Sequence, residues 1–541
     1  MDVNLFKHMY RDRSKHNTQI THGFAYSELT GVEDYINRLI RCAELRYPPE
    51  FRFSHAERCT PQEEVQFATM RKNTRQYIDY SQNDVYLVKF FFTFQGRLLK
   101  PRFMYLPFGT KGGLITLMGS TFQISAVLAD IAISAGDSSV YVPLNLDKLT
   151  FYRLLQPFYE DGRRVLTGVI HSEVYHNAKK PGLRKTITAD STVGHYLFAK
   201  YGVTETFRLY FNTHVVIGDA STITRDNYPK EDWIICTSLC LKPYGVKTKY
   251  YQPTDIRLAI PRLQYNARVA SVVGAFFYIV DRFPDVCKVE YLDSQQHWRI
   301  LLGHIIFASD ESEGKLLNKI DAHMNSLDGY IDAMSQEWLA EDGVMVDNVY
   351  ELFTEISNSY AQRTTDAAAT SATMFGKRLM VLRYVLIDVI KDIFNMMFAL
   401  QNAAKKGLTE RDIDNVFKKN FRPYTIFRIN HQHGEVASIA SPSPCMSFKT
   451  TANMILQTNI TQGTSVAKTN IVTSANVLHA SIAAVGQFNN LPKTEPTGRC
   501  RANPHMQLDE RGITQLPEYL TPLIERTQSI INGKYTNGAN E

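Results

Sequence analysis

The chain has 541 residues, 44% hydrophobic and 21% charged; at about 150 residues per domain it implies three or four domains, large enough to fold without disulfides or metals. Disordered and collagen-like classes are excluded by that composition. Sixty Lys and Arg against 54 Asp and Glu give a net charge of +6, short of the excess that marks a dedicated nucleic-acid binder.

The seven cysteines are Cys42, Cys59, Cys236, Cys240, Cys287, Cys445 and Cys500. Cys236 and Cys240 share a face if Trp233–Leu241 is a strand, but their spacing is not that of a zinc ribbon or redox motif. A reduced, cytosolic context without structural zinc is expected. The N-terminus is polar and lacks an apolar signal core. The most apolar stretch, Leu379–Leu400, is interrupted by Arg383, Asp388, Lys391 and Asp392, charges that a bilayer would penalise. A buried helix is expected there, not a membrane span.

In chain order, Val32, Tyr35, Ile36, Leu39, Ile40 and Ala43 recur at helical spacing, with Thr30 and Glu33 as a capping box and Pro48-Pro49 as the stop. Val85–Phe94 and Arg97–Phe108 read as a hairpin turning at Gln95-Gly96, and Leu114–Met118 and Thr121–Ile124 as short strands. Leu146–Leu155 is expected to be helical, stopping near Pro157. Arg163–Tyr175 reads as a strand, Thr192–Tyr201 as a helix ended by Gly202, and Phe207, Leu209 and Phe211 as an alternating strand. After residue 300 helices dominate. Ile320, Met324, Leu327, Ile331 and Met334 form the stripe of one long helix; Val349, Leu352, Phe353, Ile356 and Tyr360 form another. Ala367–Ala404 is the longest helical candidate, and Thr409 with Asp412 caps one more, to about Lys419. The last 120 or so residues are rich in Thr, Ser, Asn, Gln and Pro. They form either a loop-rich active-site element or a surface that a partner orders.

Phosphate-loop, dinucleotide, zinc-protease and nucleophile-elbow motifs are absent. His431 and His433 are two apart and suit either a metal or solvent. Asp388 and Asp392 lie four apart on a helix face, suited either to chelating a cation or to a solvated stripe or pairing with Lys391 and nearby basic groups. Two basic clusters stand out: Arg163, Arg164, Lys179, Lys180, Arg184 and Lys185, and then Lys405, Lys406, Arg411, Lys418, Lys419, Arg422 and Arg428. Each suits either a phosphate backbone or a solvated surface. Phe375-Gly376-Lys377-Arg378-Leu379 sets two cations at the edge of an apolar run, where they need acids or phosphates.

That pentapeptide is followed by Leu386, Ile390, Phe394 and Phe398, and preceded by Arg299–Ile306. Downstream come Val477–Ser481, Leu491-Pro492-Lys493 and Pro496-Thr497-Gly498-Arg499-Cys500-Arg501; near the N-terminus stands Gly113–Gly119. In this order the motifs resemble the first half of the β subunit of multisubunit DNA-directed RNA polymerases, with its protrusion, lobe, G-[NK]-K-R-L helix and fork. A single Lys493 replaces the fork's paired arginines, and the family's C-P-x-E-T-P-E-G end is reduced to Gly512-Ile513 and Pro517-Glu518. The second half of the subunit, with its two nucleotide- and RNA-contacting lysines, and the catalytic N-A-D-F-D-G-D loop of β′ are missing. The pattern is similar to the N-terminal fragment of a split β subunit, as in giant (jumbo) bacteriophages.

The resemblance implies an α+β, multi-module fold. Its parts are a protrusion-like part (1–160), a lobe-like insertion (161–300), a helical part packing back on the first (301–430) and a fork-like interface segment (431–541). It implies a non-catalytic polymerase subunit forming one wall of the DNA/RNA cleft, inactive alone. Mg2+ would be held by a partner; the partners would be the C-terminal β fragment, the β′ fragments, template DNA and RNA, with no membrane. The place would be the host cytoplasm or the virion interior. Lys377, Arg378, Lys493, Arg499 and Arg501 are the cleft candidates, the last three on a stiff Leu491–Pro504 loop. No catalytic or metal residue is expected on this chain. A structural protein of a large phage virion is the alternative, since the polar tail and 11% aromatics suit it too.

Overall fold

The computed structural model describes residues 29–69, 83–109, 114–124, 126–136, 138–144, 148–176, 187–238, 256–283, 287, 289–307, 312–327, 331–370 and 374–427, and beyond these the short stretches 436–439, 457–460, 481, 485, 498–501, 506–509, 512–515, 521–522, 525–526 and 529. The fold is α+β. It divides into two compact units, Met1–Ile131 with Ala372–Glu541, and Ala132–Ser371.

The first unit opens with α1 (Val32–Glu44), which buries Val32, Ile36, Leu39, Ile40 and Ala43. The N-cap is Gly31, one residue after the Thr30 expected there, and Gly31 makes no side-chain cap bond. Glu33 neighbours the Tyr86 phenol, which burial first, and then this carboxylate, pushes up from its ordinary pKa. Then come β1 (Phe51–Arg58), α2 (Pro61–Thr69), β2 (Val85–Phe94), β3 (Arg97–Leu98) and β4 (Arg102–Pro107), with β1, β3 and β4 all pairing β2. The β2–β3 turn places Gln95 and Gly96 at positive φ (49° and 76°), the geometry that matches strand twist in a two-residue hairpin. Further on, β5 (Leu114–Leu117), β6 (Ser120–Ile124) and β7 (Ala126–Ala129) complete this part.

In the second unit, β8 (Ser134–Ala135), β9 (Ser139–Pro143), β10 (Lys148–Glu160), β11 (Arg163–His176) and β12 (Ile187–Thr192) lead to α3 (Val193–Tyr201) and α4 (Val203–Phe211). Next are β13 (Val216–Gly218), β14 (Trp233–Thr237), β15 (Arg257–Pro261), α5 (Ala267–Arg282), α6 (Gln295–Phe307), α7 (Glu313–Leu327), α8 (Ala333–Glu341) and α9 (Val349–Thr370). The strands form one sheet in the order β12-β11-β10-β14-β15-β13, with β9 on β10 and β8 on β9.

Three expectations are corrected here. The helix expected at Leu146–Leu155 is the strand β10, because a continuous ladder with β11 from Leu149–Val174 to Glu160–Arg163 outweighs local preference. Pro157 is tolerated inside it. On its other edge β10 meets β9 only at 148–152 and β14 only at 159–160, so the missing N–H falls between these partners. The alternating strand expected at Phe207, Leu209 and Phe211 is the helix α4, which buries Val203, Thr206 and Phe207 at helical spacing while Leu209 faces solvent. The stripe from Ile320 to Met334 is buried throughout but is divided between two helices, with Ile331 lying before the second. Asp332 caps the second by accepting the Ser335 N–H at 3.0 Å.

Back in the first unit, β16 (Arg378–Met380), α10 (Leu382–Val385), α11 (Ile387–Ala404) and α12 (Glu410–Asn420) follow, then β17 (Val436–Ile439), β18 (Gln457–Ile460) and β19 (Gly498–Arg501). The single helix expected over Ala367–Ala404 is therefore corrected: α9 ends at Thr370 and a strand precedes the next helices. α11 packs on α1 and α12, while Phe417 and Phe421 supply the aromatic contact with the hairpin, Phe417 lying 5.0 Å from Phe92. α12 carries the expected capping box of Thr409 and Asp412. Among the described residues no helix is long and apolar enough to cross a membrane.

Candidate nucleic-acid interface

The Gly-Lys-Arg segment is held from both sides. Gly376, at φ +73°, donates its N–H to the Thr514 carbonyl (3.0 Å), and Leu379 donates to Gly512 (2.9 Å). Thr514 N–H returns a bond to the Lys377 carbonyl (2.8 Å), and its hydroxyl accepts from Lys377 N–H (3.1 Å). On the other side, Arg378, Leu379 and Met380 pair with Ala129, Leu128 and Val127 of β7. The Lys377 side chain is 6% exposed, and its ammonium lies 2.9 Å from the Asp130 carboxylate. Its acid is thus Asp130. Arg378 is half-buried beside it.

The four-stranded sheet runs β16-β7-β18-β19. β18 joins β7 in parallel, with Asn459 opposite Val127, and β19 joins β18 antiparallel, with Arg499 opposite Asn459 and Arg501 opposite Gln457. Successive residues alternate faces, and residues paired across strands share one. Positions 378, 380, 127, 129, 457, 459, 499 and 501 therefore lie on a single face. The register thus brings three of the five candidate cations, Arg378, Arg499 and Arg501, to one side of one sheet, with β16 and β19 roughly 14 Å apart. The loop expected over Leu491–Pro504 is corrected at 498–501, where β19 is regular; the rest of that span lies outside the described residues.

Lys493 lies outside the described residues, as do His431, His433, Lys179, Lys180, Arg184, Lys185, Arg428, Cys240 and Cys445. Arg163 and Arg164 are exposed at the β10–β11 tip, and Lys405, Lys406, Arg411, Lys418 and Lys419 are exposed on and around α12. Arg422 instead grips buried Asp392 through bonds of 2.8 and 2.9 Å, and the Thr425 hydroxyl donates to the same carboxylate at 2.8 Å. Asp392 is therefore an internal anchor. Among the described residues no three His, Cys, Asp or Glu side chains converge as a metal set. Sequence reasoning misses Asp130 and Thr514: an isolated Asp after Val-Leu-Ala and a Thr in a polar tail carry no local signal.

Residues 3–516 match the family model of the non-virion RNA polymerase subunit. The chain belongs to that family. No individual curated protein matches it. As an RNA polymerase subunit, it has other polymerase subunits for partners. The match spans residues of both compact units and of the four-stranded sheet.

Proposed function

We propose that this polymerase subunit is the N-terminal fragment of a split β subunit in a phage multisubunit enzyme, forming one wall of the DNA/RNA cleft. Partner fragments of β and β′ supply the catalytic aspartates and Mg2+, in the host cytoplasm. The register that gathers positions 378, 499 and 501 on one face is the observation that supports the cleft role. Guanidinium groups keep their charge when partly desolvated and grip phosphates bidentately. Lys377, committed to Asp130, stiffens the strand beside Arg378, and Lys493 is proposed to join the arginines. The family description, non-virion, weighs against the alternative of a virion structural protein.

The test is the triple variant R378A/R499A/R501A in the assembled enzyme. Subunit assembly should be intact, and the slope of log affinity for template against log salt should fall by about one per lost phosphate contact. An unchanged salt slope rejects the cleft role.

A further inference from the structure

Three leucines on the β10–β11 hairpin stand in solvent: Leu154 is 45% exposed, Leu155 68% and Leu166 63%. Leu155 pairs with Gly168 and Pro157 with Leu166, so Leu155, Pro157 and Leu166 share one face. Arg153 and Arg164 lie on that face at its two ends, opposite Ile170 and Tyr159, and Arg163 is exposed at the tip. Nearer the hairpin base the same face is core, with Phe151 and Ile170 buried. Alternation would normally turn polar once a strand leaves its core; this face stays apolar.

The local acids are engaged, and the Arg153 guanidinium lies over the Tyr360 ring, 5.8 Å from its centroid. Gly168 leaves room for the Arg153 stem, whose Cδ lies 2.4 Å from where a Cβ on the glycine would stand. Asp161 is held by Arg262 at 2.8 Å and by Arg225, and Glu160 accepts the Tyr265 hydroxyl at 3.1 Å. An apolar centre with a guanidinium rim is the composition of a protein interface, whose core is depleted in charge and enriched in Arg.

We propose that this hairpin face docks another subunit of the same polymerase, through an apolar segment flanked by carboxylates. The proposal rests on the family assignment, not on the cleft role of the sheet. Charge complementarity selects the occupant: a second copy would set arginine rim against arginine rim, and a phosphate backbone would gain nothing from the central leucines.

The experiment places the photo-crosslinker p-benzoylphenylalanine at position 155, and separately at 166, in the full chain within the assembled polymerase. Irradiation should join it to another subunit, within a few residues of Asp or Glu. Crosslinks only to this chain, to a second copy or to nucleic acid, or no crosslink at all, overturn the proposal. In parallel, L155E/L166E and R153E/R164E chains should melt like the unsubstituted chain but enter the polymerase with affinity lowered roughly tenfold or more. Normal assembly of L155E/L166E overturns it too. Failure of the cleft reading would appear instead as an unchanged salt slope in an enzyme that assembles normally.

Discussion

The Lys377 ammonium and the Asp130 carboxylate meet at 2.9 Å across 247 positions of sequence. The lysine side chain is almost fully enclosed, whereas the aspartate side chain is 29% exposed. Losing either partner therefore has unequal consequences. D130A strands a buried cation and is expected to cost about 2–3 kcal/mol; K377M leaves a carboxylate that water reaches and should cost roughly half as much. Denaturant midpoints of the two variants check the order.

Asp392 is the acceptor for both Arg422 and Thr425, tying α11 to the segment after α12. D392A leaves Arg422 without its carboxylate and should destabilise the first unit by about 3 kcal/mol. The second unit should keep its stability, which hydrogen exchange resolved by peptide reads directly.

His195 in α3 is fully enclosed. Its Nε2 lies 3.0 Å from the Trp298 carbonyl, which only accepts, so Nε2 carries the proton and Nδ1 accepts from the Ser191 hydroxyl at 2.9 Å. Burial lowers its pKa to about 3. Because the folded value is depressed, the unfolded chain takes up the proton first. Stability from this group is intact above about pH 6.5 and falls by roughly 1.4 kcal/mol per pH unit below it, down to about pH 3. In H195Q that part of the acid slope should vanish; unfolding titrations between pH 7 and pH 4 test it.

At Gly274 the helix α5 rides on the hairpin so closely that a Cβ would lie 2.4 Å from Thr167 Cγ2 and 2.8 Å from Val169 Cγ2. G274A should cost about 1–3 kcal/mol by forcing helix and sheet apart. A thermal melt matching the unsubstituted chain would contradict this.

The isolated chain, supplied with template, nucleotides and Mg2+, should incorporate nothing, since the proposed split leaves the catalytic aspartates on a partner. Incorporation by the pure chain would refute the proposed division of labour.

Elements whose signals are local are legible in the sequence. Thr409 and Asp412 cap α12 within one turn, and Val349 to Tyr360 bury a helical stripe. Elements decided by distant partners are not. Residues 378–380 continue a helical-looking run, yet hydrogen bonds to β7 and to Gly512 and Thr514 make them a strand. β10 is likewise decided by its ladder with β11. At the candidate interface the residue types Arg378, Arg499 and Arg501 are visible in the sequence, but their shared face is not. It depends on a parallel pairing of β7 with β18 that no turn or spacing announces.

That parallel pairing also sets an order of events during synthesis. Residues 126–129 of β7 find their partners only at 378–380 and 458–460, with the whole of Ala132–Ser371 emerging in between. At about 5–20 residues per second the ribosome takes on the order of ten seconds or more to make that insertion. β7 spends that interval as an apolar strand without its ladder, while the inserted unit has all its own strands in hand. The second unit is thus positioned to fold first, and the arginine-bearing sheet closes last, after the ribosome has passed Arg501.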